Sequence, residues 1–154
     1  MKGLTHVVFG MGFVSILLGI FKIHPFMWGF GIFIISPIFS RLPDQDQKIS
    51  RLTFNQIVPH RGKTTHNLLF CLPLLFLIIF FSWGFLGQLL IMLIGSIFGA
   101  LFAHAFVDTF NYGGVWIGFF HLKIGRLKWD SFLGNISFIL LGLLMFVLSI
   151  FFIF

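Results

Sequence analysis

Long apolar runs broken by short polar segments set the pattern of this chain. The first run, from about Leu4 to Phe21, stops at Lys22-Ile23-His24-Pro25, a polar break that turns the chain. The second, about Phe26 to Ser40, is short and contains Pro37, which predicts a kinked or tilted helix because proline cannot donate within the helical ladder. The stretch from Arg41 to Lys63 is the least hydrophobic part of the molecule. A third run covers about His66 to Ser82, Trp83-Gly84 marks a tight connection, and a fourth extends from about Phe85 to Phe110. A mixed segment, Asn111 to Asp130, leads to a last run from about Phe132 to Phe154. A helix needs roughly 20 apolar residues to cross a hydrocarbon core. The pattern therefore predicts an all-α, polytopic transmembrane helical bundle of about five spans, organised as a single domain over 1–154.

Composition agrees with that solvent. Of the 154 residues 58% are hydrophobic and 9% are charged, with a mean hydropathy of +1.07, where a soluble domain carries about 25% charged residues. The one cysteine, Cys71, lies in an apolar run and has no partner in the sequence for a disulfide. The first run is read as a span rather than a cleaved signal, since no small-residue cleavage site follows it. The formal charge of +6 would raise nucleic acid as a partner in a soluble protein. Here the basic residues flank apolar runs, so nucleic acid is not expected and membrane lipids are. With five spans, Lys2, Arg41, Lys48, Arg51, Arg61, Lys63, Lys123, Arg126 and Lys128 fall on the side of the N-terminus and Lys22 alone on the other. The positive-inside rule then predicts N-in, C-out, in the inner (cytoplasmic) membrane.

The same topology sorts the groups that carry chemistry. His6 begins the first span, Asp44 and Asp46 follow the second, His60 and His66 flank the start of the third, and His104 and Asp108 end the fourth. All map to one bilayer face, so residues a hundred positions apart are expected to share a neighbourhood. His104 and Asp108 are four apart and share a helix face. An Asp inside a span costs roughly 2.5–3.5 kcal/mol at the helix centre, and a divalent cation offsets that cost. Carboxylates and neutral imidazoles together suit zinc or a similar ion. Seven such groups exceed what one zinc takes, so one to three ions are expected. Taken singly, His6 reads as an interfacial anchor and Asp44 and Asp46 as a solvated turn after Pro43. Small residues Ser96, Ala100 and Ala103, with Gly95 and Gly99 beside them, predict close approach of another helix. His24, on the far side, is read as structural, and His121 and Asp130 are left without a role.

The ordered series His6, Leu42-Pro43-Asp44-Gln45-Asp46, His60-Arg61-Gly62-Lys63-Thr64-Thr65-His66 and His104-Ala105-Phe106-Val107-Asp108, followed by Gly113-Gly114, resembles the bacterial and archaeal membrane-bound, metal-dependent hydrolases of the YdjM type. These are also described as LexA-binding, inner-membrane-associated hydrolases. The arrangement is more distantly similar to zinc-dependent phospholipases C and single-strand nucleases. The resemblance implies a divalent metal held by His6, Asp44, Asp46, His60, His66, His104 and Asp108. It further implies catalysis by Asp44, Asp46, His60, Arg61 and Asp108 on a phosphoester or lipid-linked substrate at the cytoplasmic face. In that reading Arg61 grips phosphate bidentately. Two departures stand out. An extra Thr precedes His66, which would rotate its side chain by about 100° if His66 opened a helix, and Gln47 stands where many relatives have His. They leave open a non-catalytic alternative, a degenerate hydrolase homologue or a metal- or ion-handling protein. The apolar far halves of most spans argue against conduction. Trp116, Trp129, Lys123, Arg126 and Lys128 form a predicted interfacial belt.

Overall fold

The computed structural model describes residues 3–45, 52, 66–77, 83–125, 127–128 and 130–153. Most of them are helical, and four helical units are long and apolar enough to cross a membrane: Gly3–Ile20, Pro25–Gln45, Gly84–Asp108 and Phe132–Ile153. The first, α1 (Gly3–Ile20), ends one residue short of the boundary read from the sequence. The second is composite, with α2 (Pro25–Phe30), a π turn (Gly31–Ile35), α3 (Ser36–Arg41) and a 3-10 turn (Pro43–Gln45). Pro37 explains the interruption. Its nitrogen has no proton for the ladder and its ring crowds the preceding turn. The helix widens just before it, so that the Ser36 N–H reaches back five residues to the Gly31 carbonyl.

The third predicted span differs more. Among its described residues the chain forms a 3-10 helix, Leu68–Phe76, with Pro73 inside it and Asn67 as its N-cap. Residues 78–82 of that span lie outside the described residues. Then follow α4 (Gly84–Asp108) and α5 (Phe132–Ile153), each within two residues of its predicted limits. The segment between them is not helical. It holds an antiparallel hairpin, β1 (Val115–Ile117) and β2 (Phe120–Leu122), in register Val115↔Leu122, Trp116↔His121, Ile117↔Phe120. Its two-residue turn starts with Gly118 at φ +58°, the position where a tight hairpin turn favours glycine. The all-α expectation is corrected to this extent. A glycine and short β-favouring triplets outweigh a helix where no long apolar run demands one.

Two apolar clusters fill the bundle. One gathers Val14, Leu18, Ile32, Ile35, Leu77, Ile91, Met92 and Ala100; the other packs Phe9, Ala103 and Val107 with Phe13, Phe106, Phe138 and Met145. Between α1 and α5 small and polar residues add a second line of contact beside Phe9 and Phe138. The buried residues of α5 are Gly134, Asn135, Gly142 and Ser149, three of them seven apart. On α1 they meet residues also seven apart. The Thr5 hydroxyl donates to the Asn135 Oδ1 at 2.5 Å, Gly12 abuts Gly142, and Gly19 faces Ser149. Both series rise together, so α1 and α5 run parallel. A seven-residue repeat keeps a narrow seam in contact along two helices, and small residues let their backbones approach. The small face of α4 behaves as expected, with Gly99 against Val14 and Leu17 and the Ser96 hydroxyl against Gly31.

At the far end of α1 the chain turns through Lys22, a non-glycine residue at φ +50°. The Lys22 N–H donates to the Gly19 carbonyl (2.8 Å) and the Ile23 N–H to that of Leu18 (3.2 Å). This pair of bonds closes a helix through a left-handed residue and brings the apolar residue after it back onto the helix. Ile23 and Leu18 are accordingly both buried.

The α1–α5 seam leaves no room for a side chain. A methyl on Gly142 would fall 2.6 Å from the Val8 carbonyl oxygen and 2.8 Å from the Phe9 Cα, backbone atoms that cannot swing aside. Gly142→Ala is expected to destabilise the detergent-solubilised protein by about 1–3 kcal/mol, the range for overpacking. Leu141→Ala, on the outward face, is expected to leave it within about 0.5 kcal/mol. Thermal unfolding of the two variants side by side checks this; equal midpoints would dissolve the seam.

Candidate metal centre

Four separate segments deliver polar side chains to one end of the bundle. His6 stands in the first turns of α1, Asp44 in the 3-10 turn after α3, His66 two residues before Leu68–Phe76, and His104 and Asp108 in the last turns of α4. The Asp108 carboxylate, fully buried, is the meeting point. His6 Nε2 lies 3.5 Å from its Oδ1; His66 Nε2 and His104 Nε2 lie 3.3 and 3.6 Å from its Oδ2. His104 Nε2 also lies 3.7 Å from Asp44 Oδ1, whose side chain is 36% exposed. The rings of His6 and His104 stack, centroids 3.9 Å apart and planes 18° from parallel, and His66 meets His104 edge-on at 5.3 Å.

The protonation of His104 follows from its surroundings. Its Nδ1 lies 2.6 Å from the Ser40 carbonyl oxygen. A carbonyl only accepts, so Nδ1 carries a proton; in the neutral ring the Nε2 lone pair then faces the carboxylates. Ser40 is available because it sits in the last turn of α3, where backbone carbonyls have no partner within the helix. A lone pair facing two carboxylate oxygens is unfavourable unless a cation lies among them. The spacing fits a metal ion. Two ligands of a tetrahedral zinc, each bonded at about 2.0–2.1 Å, lie about 3.3 Å apart, and the observed separations run from 3.3 to 3.7 Å. Hydrogen bonds from nitrogen to oxygen are shorter, near 2.9 Å. Two overlapping triads, His6–His104–Asp108 and Asp44–His66–His104, each hold their ligand atoms within 4.8 Å of one another. Because His104 Nδ1 is occupied by Ser40, both triads draw on the same Nε2 and describe one centre among the described residues.

Further residues hold this set in place. Asn111, buried, donates from its Nδ2 to Asp108 Oδ1, fixing the carboxylate from behind. Its backbone N–H donates to the Asp108 carbonyl at 3.1 Å. His66 is anchored by the hairpin: its carbonyl accepts from the Trp116 N–H at 2.8 Å, and the neighbouring Asn67 Oδ1 accepts from the N–H groups of Leu69 (3.0 Å) and Gly118 (3.3 Å). Outer partners of this kind orient metal ligands and tune their affinity. Sequence reasoning missed Asn111 and Ser40. Asn111 carried a signal, an amide one turn beyond the intramembrane Asp; a backbone carbonyl carries none.

Of the residues expected to share one face, His6, Asp44, His66, His104 and Asp108 are brought together. Asp46, His60 and Arg61 lie outside the described residues, as do Gln47, Arg126 and Trp129. The extra Thr before His66 does not have the feared effect on the helix, because the helix starts after His66, with Asn67 as its cap. His24 is at the opposite end, where its Nδ1 accepts from the Phe26 N–H at 3.3 Å, a capping role. His121 pairs with the hairpin instead, Nε2 to the Gly113 carbonyl at 2.9 Å and its ring against Trp116. Lys123 of the predicted belt places its Nζ 4.9 Å from the centre of the Tyr112 ring.

No curated protein and no solved structure matches the chain. A family model does match, that of the YdjM inner membrane protein, and it covers residues 1–154. Buried imidazoles around an intramembrane carboxylate, apolar spans and this match over the whole length agree: the chain belongs to the YdjM inner membrane protein family.

Proposed function

We propose that the protein is a membrane-embedded, metal-dependent hydrolase acting on a phosphoester or lipid-linked substrate at the cytoplasmic face. One observation carries the reading. Ser40 holds a proton on His104 Nδ1, which in the neutral ring leaves the Nε2 lone pair facing two carboxylates, an arrangement that a bound cation would relieve. His6, His66, His104 and Asp108 would hold one divalent ion, zinc being the best match to two or three imidazoles and a carboxylate. When bound, such an ion lowers the pKa of water towards neutrality and stabilises charge on phosphoryl oxygens.

The chain's own residues divide the remaining work. Asp108, stabilised by Asn111, balances the charge of the centre. Asp44 alone among the five is half exposed, so it stands at the mouth. There it is suited to accept a proton from water or to yield its place to substrate. Asp46, His60 and Arg61, close in sequence to this mouth, would add ligands and a phosphate-binding guanidinium.

Five crossings with the N-terminus inside are part of the same proposal. The parallel α1 and α5 support chain ends on opposite sides. His66 beside Asp108, and Gly84 at the other end of α4, support a crossing between them. The 25 residues of α4 span about 37 Å at 1.5 Å each, and the nine residues of the 3-10 helix, rising about 2.0 Å each, cover about half of such a distance.

Elemental analysis of protein purified without chelator is expected to find about one zinc or similar ion per chain, and Asp108→Asn is expected to lose it. Metal-free wild type would end the hydrolase reading. Metal retained by an enzyme that turns over no phospholipid or phosphomonoester would favour the non-catalytic alternative. Asn111→Leu should weaken metal affinity about 10–100-fold, the usual effect of removing an outer partner, as read by competition with a chromogenic chelator. An unchanged affinity would take Asn111 out of the site.

Asp44→Asn separates the two roles of the centre. We expect it to abolish turnover of whichever substrate the wild type hydrolyses while leaving most of the bound metal in place. Equal loss of metal and of activity would make Asp44 a structural ligand and not the group at the mouth.

A further inference from the structure

The opposite end of the bundle holds a cavity of about 530 Å³, within the range of small-molecule sites. It lies where the Lys22 turn, the start of α2, the first turns of α4 and the end of α5 meet. Its walls are of two kinds. Lys22, His24 and Gln88 form the polar side, and Phe151, Phe152 and Ile153 the apolar one.

The polar side consists of donors. Lys22 offers an ammonium group. His24 Nδ1 accepts from the Phe26 N–H, so in the neutral ring the proton is on Nε2, which donates. Gln88 Oε1 accepts from the His24 backbone N–H at 3.4 Å, which leaves the Gln88 amide protons to donate. No carboxylate side chain is among the lining residues. Three donors without a counter-charge select an anion. The apolar side, built from the last turn of a helix whose outward face is exposed, selects an amphiphile.

The cation is also out of place by the usual rule. By the five-span topology Lys22 is the one basic residue at this end, where the positive-inside bias disfavours it. It further occupies a left-handed backbone conformation that costs a non-glycine residue about 1–2 kcal/mol.

We propose that this cavity binds the phosphate group of an anionic phospholipid of the far leaflet. The phosphate sits against Lys22, His24 and Gln88, and an acyl chain lies along Phe151 and Phe152. The site is separate from the His–Asp centre at the other end; its assignment to the far leaflet rests on the five-crossing topology proposed above.

The test uses the full-length protein in detergent, titrated with phosphatidylglycerol and with phosphatidylcholine of identical acyl chains, with bound lipid counted by native mass spectrometry. Phosphatidylglycerol is expected to bind at least tenfold more tightly than phosphatidylcholine, whose phosphate is the same but whose choline cation would lie beside the Lys22 ammonium. Lys22→Gln is expected to weaken it about tenfold, as for loss of one charge-assisted hydrogen bond, and Gln88→Leu to weaken it less. Lys22→Arg should bind as the wild type does, and the melting temperatures of all variants should match within the error of the measurement. Equal affinity for the two lipids, or unchanged binding by Lys22→Gln, would mean that Lys22 merely extends to the interface and would overturn the proposal. Displacement of the lipid by millimolar inorganic phosphate would assign the site to a free anion and would overturn the lipid assignment.

Discussion

The Asp108 carboxylate is the constraint on which the architecture turns. A buried acid near the end of a membrane helix is tolerable only where its charge is met, and two distant segments of the chain join neighbours on its own helix and just beyond it to meet it. α1 brings His6, the stretch before Leu68 brings His66, α4 itself brings His104 one turn earlier, and Asn111 closes the carboxylate from behind. None of these groups has value alone at such a position, since an imidazole in a dry bundle also needs partners. The cluster therefore ties the bundle's topology to its chemistry. Moving any of α1, α3 or α4 by one residue's rise would break the ligand spacing.

Elsewhere the bundle is arranged to permit that convergence. Helices in lipid gain little from burying apolar surface against one another, so close packing and hydrogen bonds hold them together. The α1–α5 seam, with Thr5–Asn135 at the site end and glycines beyond it, fixes the height of α1 and hence of His6. The π turn before Pro37 serves the second helical unit in a related way. It absorbs a missing donor and lets α3 end with a free carbonyl at Ser40, which sets the tautomer of His104. The hairpin does the same for His66 from outside the spans. A local sequence feature, in each case, becomes the position of one ligand.

Most of this was legible in the sequence because the signals were local and strong. Apolar runs of helix length gave α1, α4 and α5 to within two residues, and Pro37 gave the interruption of the second unit. His104 and Asp108 were legible as a pair because four residues are one helical turn. His6, Asp44 and His66 could be placed beside them through topology alone, since alternate crossings return the chain to one face. What escaped the reading was set by tertiary contacts. The Thr5-Gly12-Gly19 and Asn135-Gly142-Ser149 series are only seven-residue repeats of small residues until their partner is known. The hairpin was hidden because four β-favouring residues, Val115, Trp116, Ile117 and Phe120, around a glycine are a weak signal within a membrane protein. Ser40 acts through its backbone, which every residue possesses.

The ligand set also bears on whether the proposed centre would be catalytic or structural. A structural zinc is enclosed by four protein ligands, whereas a catalytic one keeps a position for water. His6, His66, His104 and Asp108 already make four, all buried, which taken alone would describe a closed site. Asp44 alters that balance. Its carboxylate lies 3.7 Å from His104, the longest separation among the ion pairs of the cluster, and it is the one member of the five open to solvent. In the proposed hydrolase the buried His6, His104 and Asp108 would hold an ion from within, and Asp44 would offer an exchangeable contact at the exposed edge. The dry interior would strengthen the field, and that edge would admit water and substrate.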